Sequence, residues 1–358
     1  MRRHLIALLA VASASFACGG GNAASNGGAS TGPAPSPEGT SSPATPSAQS
    51  LPLVLVRDVE LPGAANRFDY QDVDAKRGHL VIAHMNDASV VIVDIESGAV
   101  LKVIPNVPTA RGVIVASEIA RIFVTSSPNQ VVAIDADTLA EVGRITTGRG
   151  PDGIAWDPVH SIVGVSDQAD GAVSLIADGG KGSRTAVALG TETGNVVFDR
   201  TRSSFWVTVV KGGAVDRLVE IDPIAAKEKT SIDLPGCEGA HGLRLHPDGQ
   251  SALVACEGNA KLVRVSLGAS HEIVLAKTGS GPDVLAIDPG TKWIYVAAES
   301  GDLTVFDLSQ PGLSEIDREH PADHAHTVAV DPTSHRVFFP LQSGPDGKPV
   351  LRIMRPGP

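Results

Sequence analysis

The chain has 358 residues, with 40 acidic and 29 basic side chains and a formal net charge of −11 at pH 7. Hydrophobic residues make up 42% of the sequence and aromatic residues only 4%, so a large core must be built mainly from Val, Ile, Leu and Ala. The acidic excess argues against a nucleic-acid partner, because such a surface needs Lys and Arg to neutralise phosphate.

The N-terminus has the pattern of an export signal. Arg2 and Arg3 precede an apolar stretch, residues 5–17, that ends in small residues and is too short to span a bilayer. We therefore expect residues 1–17 to be a signal peptide, whose loss changes the net charge from −11 to −13 because two arginines go with it. The mature protein is predicted to be exported to a bacterial cell envelope, in the periplasm or on the cell surface.

Cys18 directly follows this stretch. The order Ser-Phe-Ala-Cys at positions 15–18 resembles the signal box of bacterial lipoproteins and predicts a lipid on Cys18, while a simple secretory cut after Ala17 fits the same residues. Residues 19–50 are almost entirely Gly, Ser, Ala, Pro, Thr and Asn, and cannot bury enough apolar surface to offset the entropy of ordering. We expect residues 18–50 to be a flexible, lipid-anchored linker, or an export remnant if Cys18 carries no lipid.

One sequence pattern then repeats seven times. An apolar run ends in Asp-Pro or a substitute, and a short turn, a second apolar run and a third run follow. The ends of the first runs are 41 to 47 residues apart and lie at Asp74, Ala116, Asp157, Asp199, His246, Asp288 and Asp331. A unit of this length must stack on its neighbours, and its short runs of Val, Ile and Ala between turn residues indicate strands. The sequence predicts an all-β fold, a seven-bladed β-propeller with four antiparallel strands per blade.

The seventh repeat has only three strands before the chain stops at Pro358. An unassigned strand, residues 53–60, precedes the first repeat. We expect this N-terminal strand to complete the last blade and close the ring, so that residues 51–358 form the propeller. Closure in this way leaves no long unpaired edge, and we expect a monomer.

Two cysteines remain if Cys18 carries a lipid. Cys237 leads into the inner strand of the fifth blade and Cys256 ends the second strand of the same hairpin, so both lie at one end of one blade. In an exported protein this predicts a disulfide, with two free buried thiols or a metal site as alternatives.

Polar residues recur five positions before the end of each first run, where the loops into the inner strands gather around the central channel. Six of the seven are ionisable, which differs from the small or apolar residue expected at a purely structural position. The seven residues are Asp69, Arg111, Asp152, Gly194, His241, Asp283 and His326. The ends of second strands add Asp167, Glu257 and Glu299 on the same side. We expect a ligand site at this channel mouth, with a solvated polar rim as the alternative.

Two of the repeats carry a family resemblance. Residues 281–290 with 293–301, and residues 326–337, resemble the YVTN repeat of YncE-type bacterial propellers, and Phe123-Val124-Thr125 comes near its wording. The resemblance covers nearly all of residues 52–355. It implies an exported seven-bladed propeller used for binding or as a surface protein, and it implies no catalytic residues.

His241, Asp283 and His326 lie on three consecutive predicted blades. Two imidazoles and a carboxylate form a ligand set for divalent metals, although three independent polar side chains fit the same residues, and Asp323 and His324 are candidates to extend the set. We expect no cofactor, with a divalent metal at these residues as the alternative.

The chain contains no haem-attachment motif, phosphate-binding loop or nucleophile elbow. We therefore expect a non-enzymatic propeller that binds a small ligand or an envelope protein at the channel mouth and touches the membrane only through a lipid on Cys18. The alternative is a lactone hydrolase that resembles the seven-bladed lactonases. In it His241 or His326 would be the general base and Arg111 would stabilise an oxyanion.

Overall fold

The computed structural model describes residues 53–211 and 215–357, which form seven four-stranded antiparallel sheets. This confirms the predicted seven-bladed β-propeller. The predicted signal peptide (1–17), the lipidation site at Cys18 and the linker through residue 50 lie outside the described residues. Within the described part of the chain, no helix is long and apolar enough to cross a membrane.

Strands are numbered in chain order, and blades one to six each take four consecutive strands from the channel outwards. Blade one consists of β2 (Gln71–Asp74), β3 (His79–His84), β4 (Ser89–Asp94) and β5 (Val100–Pro105). Blade two consists of β6 (Val113–Ala116), β7 (Arg121–Ser126), β8 (Gln130–Asp135) and β9 (Glu141–Thr146). Blade three consists of β10 (Pro151–Asp157), β11 (Ile162–Asp167), β12 (Ala172–Ile176) and β13 (Arg184–Ala188).

The remaining blades follow the same order until the last. Blade four consists of β14 (Glu192–Asp199), β15 (Ser204–Val210), β16 (Arg217–Asp222) and β17 (Lys227–Asp233). Blade five consists of β18 (Ala240–Leu245), β19 (Ser251–Cys256), β20 (Lys261–Ser266) and β21 (Ile273–Lys277). Blade six consists of β22 (Pro282–Asp288), β23 (Trp293–Ala298), β24 (Leu303–Asp307) and β25 (Ser314–Glu319). Blade seven consists of β26 (Ala329–Val330), β27 (Val337–Leu341), β28 (Val350–Pro356) and β1 (Leu53–Glu60).

Helical structure in the described residues is limited to short turns. One is a four-residue α-helical turn, α1 (Ala177–Gly180), and the others are 3-10 helices at Met85–Asp87, Ser117–Ile119, Gln168–Asp170 and Glu257–Asn259.

In four blades an Asp at the end of the first apolar run fixes the turn that follows it. Asp157 Oδ1 accepts hydrogen bonds from the backbone N–H groups of Val159 and His160, at 2.8 and 3.0 Å. Asp199 accepts the same pair of bonds from Thr201 and Arg202, at 2.8 and 3.1 Å. Asp side chains stabilise turns in this way, so these buried carboxylates are satisfied locally, at the ring face opposite the channel mouth.

Apolar side chains are buried mainly between blades. Each of the seven clusters of buried apolar residues combines side chains of two neighbouring blades. In one cluster Phe338 and Leu351 of blade seven pack against Phe68 and Leu80 of blade one. Since burying such a side chain stabilises a fold by about 1.5–3 kcal/mol, the contact between the first and last blades contributes to the stability of the ring.

Strand β1 closes the ring as predicted. It pairs antiparallel with β28, from Leu53 opposite Pro356 to Glu60 opposite Val350, and is the outermost strand of blade seven. The guanidinium of Arg352 donates two hydrogen bonds to the Asp58 carboxylate, at 2.7 and 3.0 Å.

Removing β1 is expected to unfold or aggregate the propeller, because β28 would become an unpaired edge. A chain that begins at residue 62 should melt well below a chain that begins at residue 49 when both are followed by circular dichroism. Equal melting temperatures would show that β1 is not needed for closure.

Glu319 at the end of β25 contacts the start of β1. Its Oε1 accepts a hydrogen bond from the Leu53 N–H at 2.7 Å. Burial and the nearby Asp317 carboxylate raise the pKa of Glu319 to about 7, despite that hydrogen bond. An ionised Glu319 is therefore disfavoured in the folded state, in which it is half-buried, but not in the unfolded chain.

This raised pKa predicts a pH-dependent stability. Glu319 contributes most to stability below its unfolded pKa of about 4.3, and the contribution is lost as pH rises through the folded pKa. We expect Glu319→Gln, which keeps the acceptor oxygen, to be more stable than the wild type in urea at pH 8 and nearly equal at pH 4.5. Glu315→Gln, which removes an exposed carboxylate of the same strand, should bring no such gain. A Glu319→Gln difference of the same size at both pH values would contradict the prediction.

The predicted disulfide is confirmed. Cys237 and Cys256 are bonded, with Cα atoms 5.2 Å apart. Cys237 lies just before β18 and Cys256 ends β19, so the bond ties the loop into blade five to the second strand of that blade.

Loss of this bond should destabilise the fold, since a cross-link over 19 residues restricts the unfolded chain by about 3 kcal/mol. We expect the double variant Cys237→Ala/Cys256→Ala to lose about that much free energy of unfolding in urea titrations. Reductant should lower the stability of the wild type and leave the double variant unchanged. A wild type that is insensitive to reductant would contradict the prediction.

Candidate ligand site at the channel mouth

The loops into the inner strands line a pocket of about 200 Å³ at one end of the channel. Five of the seven blades contribute lining side chains to the pocket. The lining residues are Arg67, Asp69, Tyr70, Met85, Arg111, Asp152, Gln168, His241, Glu257, Asp283 and Glu299. The structure therefore brings together seven of the eight residues expected at this site, and the eighth, His326, is buried beside Asp283.

Irregular strand pairing turns the ring residues into the channel. In β10, β14, β18 and β22 the register with the second strand shifts at the ring position, which is occupied by Asp152, Gly194, His241 or Asp283. A bulge of this kind redirects a side chain away from the sheet. The repeated position thus becomes an inward-facing one in successive blades.

Two glycines let the inner strands approach one another. A Cβ on Gly242 would overlap the backbone oxygen of Asp283 in the next blade. A Cβ on Gly194, the one ring position without a polar side chain, would lie 2.9 Å from the Cα of His241. Blade four therefore supplies space rather than a side chain, and His241 reaches Asp152 on the far side of that blade.

His241 lies between two carboxylates. Its Nε2 is 3.0 Å from Asp152 Oδ2 and its Nδ1 is 3.2 Å from Asp283 Oδ1. Burial alone would lower the pKa of His241, but these two carboxylates outweigh burial and raise the pKa well above 6.5. The ring is held as an imidazolium that bridges blades three and six.

Asp283 is the centre of a wider set of contacts. Its Oδ1 also accepts a hydrogen bond from the Tyr70 hydroxyl at 3.2 Å, and its Oδ2 is 3.9 Å from Nη2 of Arg67. Burial opposes ionisation of Asp283, but the neighbouring His241 and the other cationic groups lower its pKa to about 2. Arg67 itself donates to both Glu299 oxygens, at 2.7 and 3.1 Å, so its charge is matched at the rim.

Asp69 differs from the other two buried Asp residues of the pocket, because no cationic group of a described residue lies within 4 Å of its carboxylate. Its side chain accepts no hydrogen bond and forms no ion pair with a described residue, although Asp69 is only 4% exposed, whereas Asp152 and Asp283 lie 3.0 and 3.2 Å from the His241 ring. Burial and the negative charges of Asp283 and Asp152 raise the pKa of Asp69 well above 3.8, and Arg67 and Arg111 only partly oppose them. Ionisation of Asp69 is therefore disfavoured in the pocket as it stands, and a further cation beside Asp69 would favour it.

His326 is 1% exposed and has one ring nitrogen without a partner among the described residues. Its Nδ1 is 3.2 Å from the backbone oxygen of His324, while its Nε2 is 3.9 Å from Asp283 Oδ2. Ligand atoms of Asp69, Asp283 and His326 all lie within 4.8 Å of one another. In the expected metal-ligand set, Asp69 therefore takes the place of His241, whose two nitrogens both face carboxylates.

Three residues considered at the mouth serve other contacts. Asp167 turns into blade three, where its carboxylate accepts hydrogen bonds from the Gly148 N–H and the Ser174 hydroxyl. Asp323 contacts the exposed ring of His320, and His324 contributes only its backbone oxygen to His326. A repeat position therefore indicates the end of a blade but not the direction of the side chain.

Sequence reasoning missed Arg67, Tyr70 and Gln168. Arg67 and Tyr70 flank Asp69, and Gln168 directly follows the end of β11, so a search of positions adjacent to the ring would have found them. Gln168 accepts a hydrogen bond from Arg111 at 2.9 Å, and Arg111 also lies 3.6 Å from Asp152. Tyr70 accepts a hydrogen bond from the Asn195 amide and also lines a second pocket of about 240 Å³ deeper in the channel. Tyr70 thus lies between the mouth pocket and the deeper one.

Comparison with known proteins identifies the fold and not a family. No protein-family model matches the chain, and a comparison with curated proteins finds no match. A structure of hydrazine synthase from Kuenenia stuttgartiensis aligns with a TM-score of 0.68 and 15% identity, over 79% of this chain and 94% of that chain. A chain of a mitotic checkpoint complex aligns with a TM-score of 0.71 and 12% identity, over 90% and 97%. Virginiamycin B lyase from Staphylococcus aureus aligns with a TM-score of 0.68 and 13% identity, over 84% and 99%. At these identities the likeness shows the propeller fold alone, since one fold serves many functions.

Proposed function

We propose that this chain is an exported, lipid-anchored and monomeric propeller that binds a small cationic ligand in the mouth pocket without transforming it. The charge of that pocket is the observation that supports this function most directly. Five carboxylates face three cationic groups, which leaves an excess of two negative charges when all are ionised. The eight groups are Asp69, Asp152, Asp283, Glu257 and Glu299 with Arg67, Arg111 and His241.

Burial of the carboxylates makes their attraction for a cation stronger than it would be at an open surface. Asp69, Asp152 and Asp283 are each at most 5% exposed, and charges interact more strongly where water is scarce. A cation entering the pocket would gain from all three carboxylates, whereas an anion would be repelled. The volume of about 200 Å³ suits a metal ion with its water or a short amine better than a large molecule.

The geometry does not favour the lactone hydrolase. Both ring nitrogens of His241 face carboxylates, so neither is free to accept a proton from a water molecule. Arg111 is occupied by Asp152 and Gln168 rather than held free for an oxyanion. Binding without chemistry is the function that this arrangement supports better.

We also propose that the chain is exported and anchored to a membrane by a lipid. Residues 1–17 are proposed as the signal peptide, Cys18 as the lipid attachment site and residues 18–50 as the linker. The Cys237–Cys256 disulfide supports an oxidising compartment, where such bonds persist. The resemblance of the repeats to YncE-type propellers supports an exported binding protein in the same way.

The charge of the pocket predicts which ligands bind. We expect putrescine, ethylenediamine or Mn²⁺ to raise the melting temperature, and succinate and phosphate to have no effect, in thermal-shift assays. Asp69→Asn, which removes charge without removing a hydrogen bond, should weaken binding of the active cation about tenfold by calorimetry. Asp323→Asn, which removes a carboxylate outside the pocket, should bind as the wild type. Stabilisation by the anions, or by no member of the panel, would contradict the proposal.

A further inference from the structure

We propose that Asp69, Asp283 and His326 bind a divalent metal ion of the Mn²⁺ and Zn²⁺ class in the mouth pocket. This inference rests on the proposed function and names the ligand of the same site.

His326 supplies the nitrogen ligand. Its side chain is 1% exposed, and Nδ1 lies 3.2 Å from the His324 backbone oxygen, to which it can donate a hydrogen bond. Nε2 lies 3.9 Å from Asp283 Oδ2 and has no hydrogen-bond partner among the described residues, so this nitrogen is the one placed to bind a metal ion. Metal-binding histidines commonly donate their other N–H to a backbone carbonyl, which fixes the ring and its tautomer.

The two carboxylates supply the oxygen ligands. Asp69 accepts no hydrogen bond from a described residue, and Asp283 uses Oδ1 for His241 and Tyr70 while Oδ2 faces His326. Arg67 lies 3.9 Å from that Oδ2, but its two-bond pair with Glu299 holds it at the rim. One oxygen from each carboxylate therefore remains for a cation.

The spacing of the donor atoms suits one ion after a small adjustment. The three donor atoms lie within 4.8 Å of one another. Three donors spread evenly around an ion at about 2.0–2.2 Å would lie about 3.8 Å apart at most, so the distances between them need to shrink by up to about 1 Å. The other coordination positions face the pocket, where water or a ligand can complete the shell.

The donor types and the charge select the class of ion. One imidazole nitrogen with two carboxylate oxygens suits Mn²⁺ or Zn²⁺, whereas soft ions prefer the thiolates that this pocket lacks. When the five carboxylates and three cationic groups of the pocket are all ionised, their excess of two negative charges equals the charge of one divalent ion. Neither Asp323 nor His241 is needed as a ligand.

The test uses the exported chain, freed of metal with a chelator and titrated with MnCl₂ at pH 7.5. We expect one Mn²⁺ per chain by calorimetry and, in pulsed electron paramagnetic resonance, modulation from an imidazole nitrogen. His326→Ala should abolish that modulation and weaken Mn²⁺ binding at least tenfold, since even the loss of an outer-shell partner typically costs 10–100-fold. His160→Ala, a histidine paired with Asp157 on the opposite face, should bind Mn²⁺ as the wild type.

Asp69→Asn provides a second variant if His326→Ala fails to fold, and it should also weaken Mn²⁺ binding at least tenfold. Mn²⁺ that binds equally well to both variants, or binds without nitrogen modulation, would overturn the assignment of the site. If neither Mn²⁺ nor Zn²⁺ binds but putrescine does, and Asp69→Asn weakens it, the metal is wrong and the proposed cation site stands. If no cation binds, both proposals fail.

Discussion

Apolar packing between neighbouring blades is the constraint on which the rest of the structure depends. No blade covers its own faces, and each of the seven core clusters is shared by two blades. The ring therefore closes only if blade seven meets blade one, which Phe338 and Phe68 do in the shared cluster. Pairing of β1 with β28 reinforces this contact by adding a strand from the other end of the sequence. Because β1 and β28 share one sheet, the ring formed by the described residues is closed.

The carboxylates at the two faces of the ring are satisfied in different ways. The carboxylates at the opposite face, such as Asp157 and Asp199, are satisfied by the backbone of their own turns. At the mouth, Asp152 and Asp283 instead contact the His241 side chain of another blade, and Asp69 has no such partner among the described residues. Like charges held on rigid elements cannot move apart, so they respond by taking up a proton or by binding a cation. The Asp residues at the face opposite the mouth therefore stabilise turns, whereas those at the mouth are arranged in a way that suits a ligand.

The solved structures that share this fold do not indicate the function of this chain, so only its candidate site bears on that function. At identities of 12–15% the likeness extends to the fold and not to the residues of a site. Both ring nitrogens of His241 contact carboxylates, so this side chain holds Asp152 and Asp283 in place rather than acting as a base. His326, with one nitrogen free among the described residues, is the better candidate for contact with a ligand.

The sequence by itself determined the number of blades, the closing strand, the disulfide and the ring position that holds Asp69, Asp152 and Asp283. These features depend on repeat spacing, turn residues and alternation, which are local and recur seven times. Only the tertiary structure decided that His241 meets Asp152 across blade four, that Asp69 joins Asp283 and His326, and that Asp167 turns into its own blade. The physical reason is that distances across the channel depend on strand bulges and on the space left at Gly194, neither of which follows from the period of the repeat.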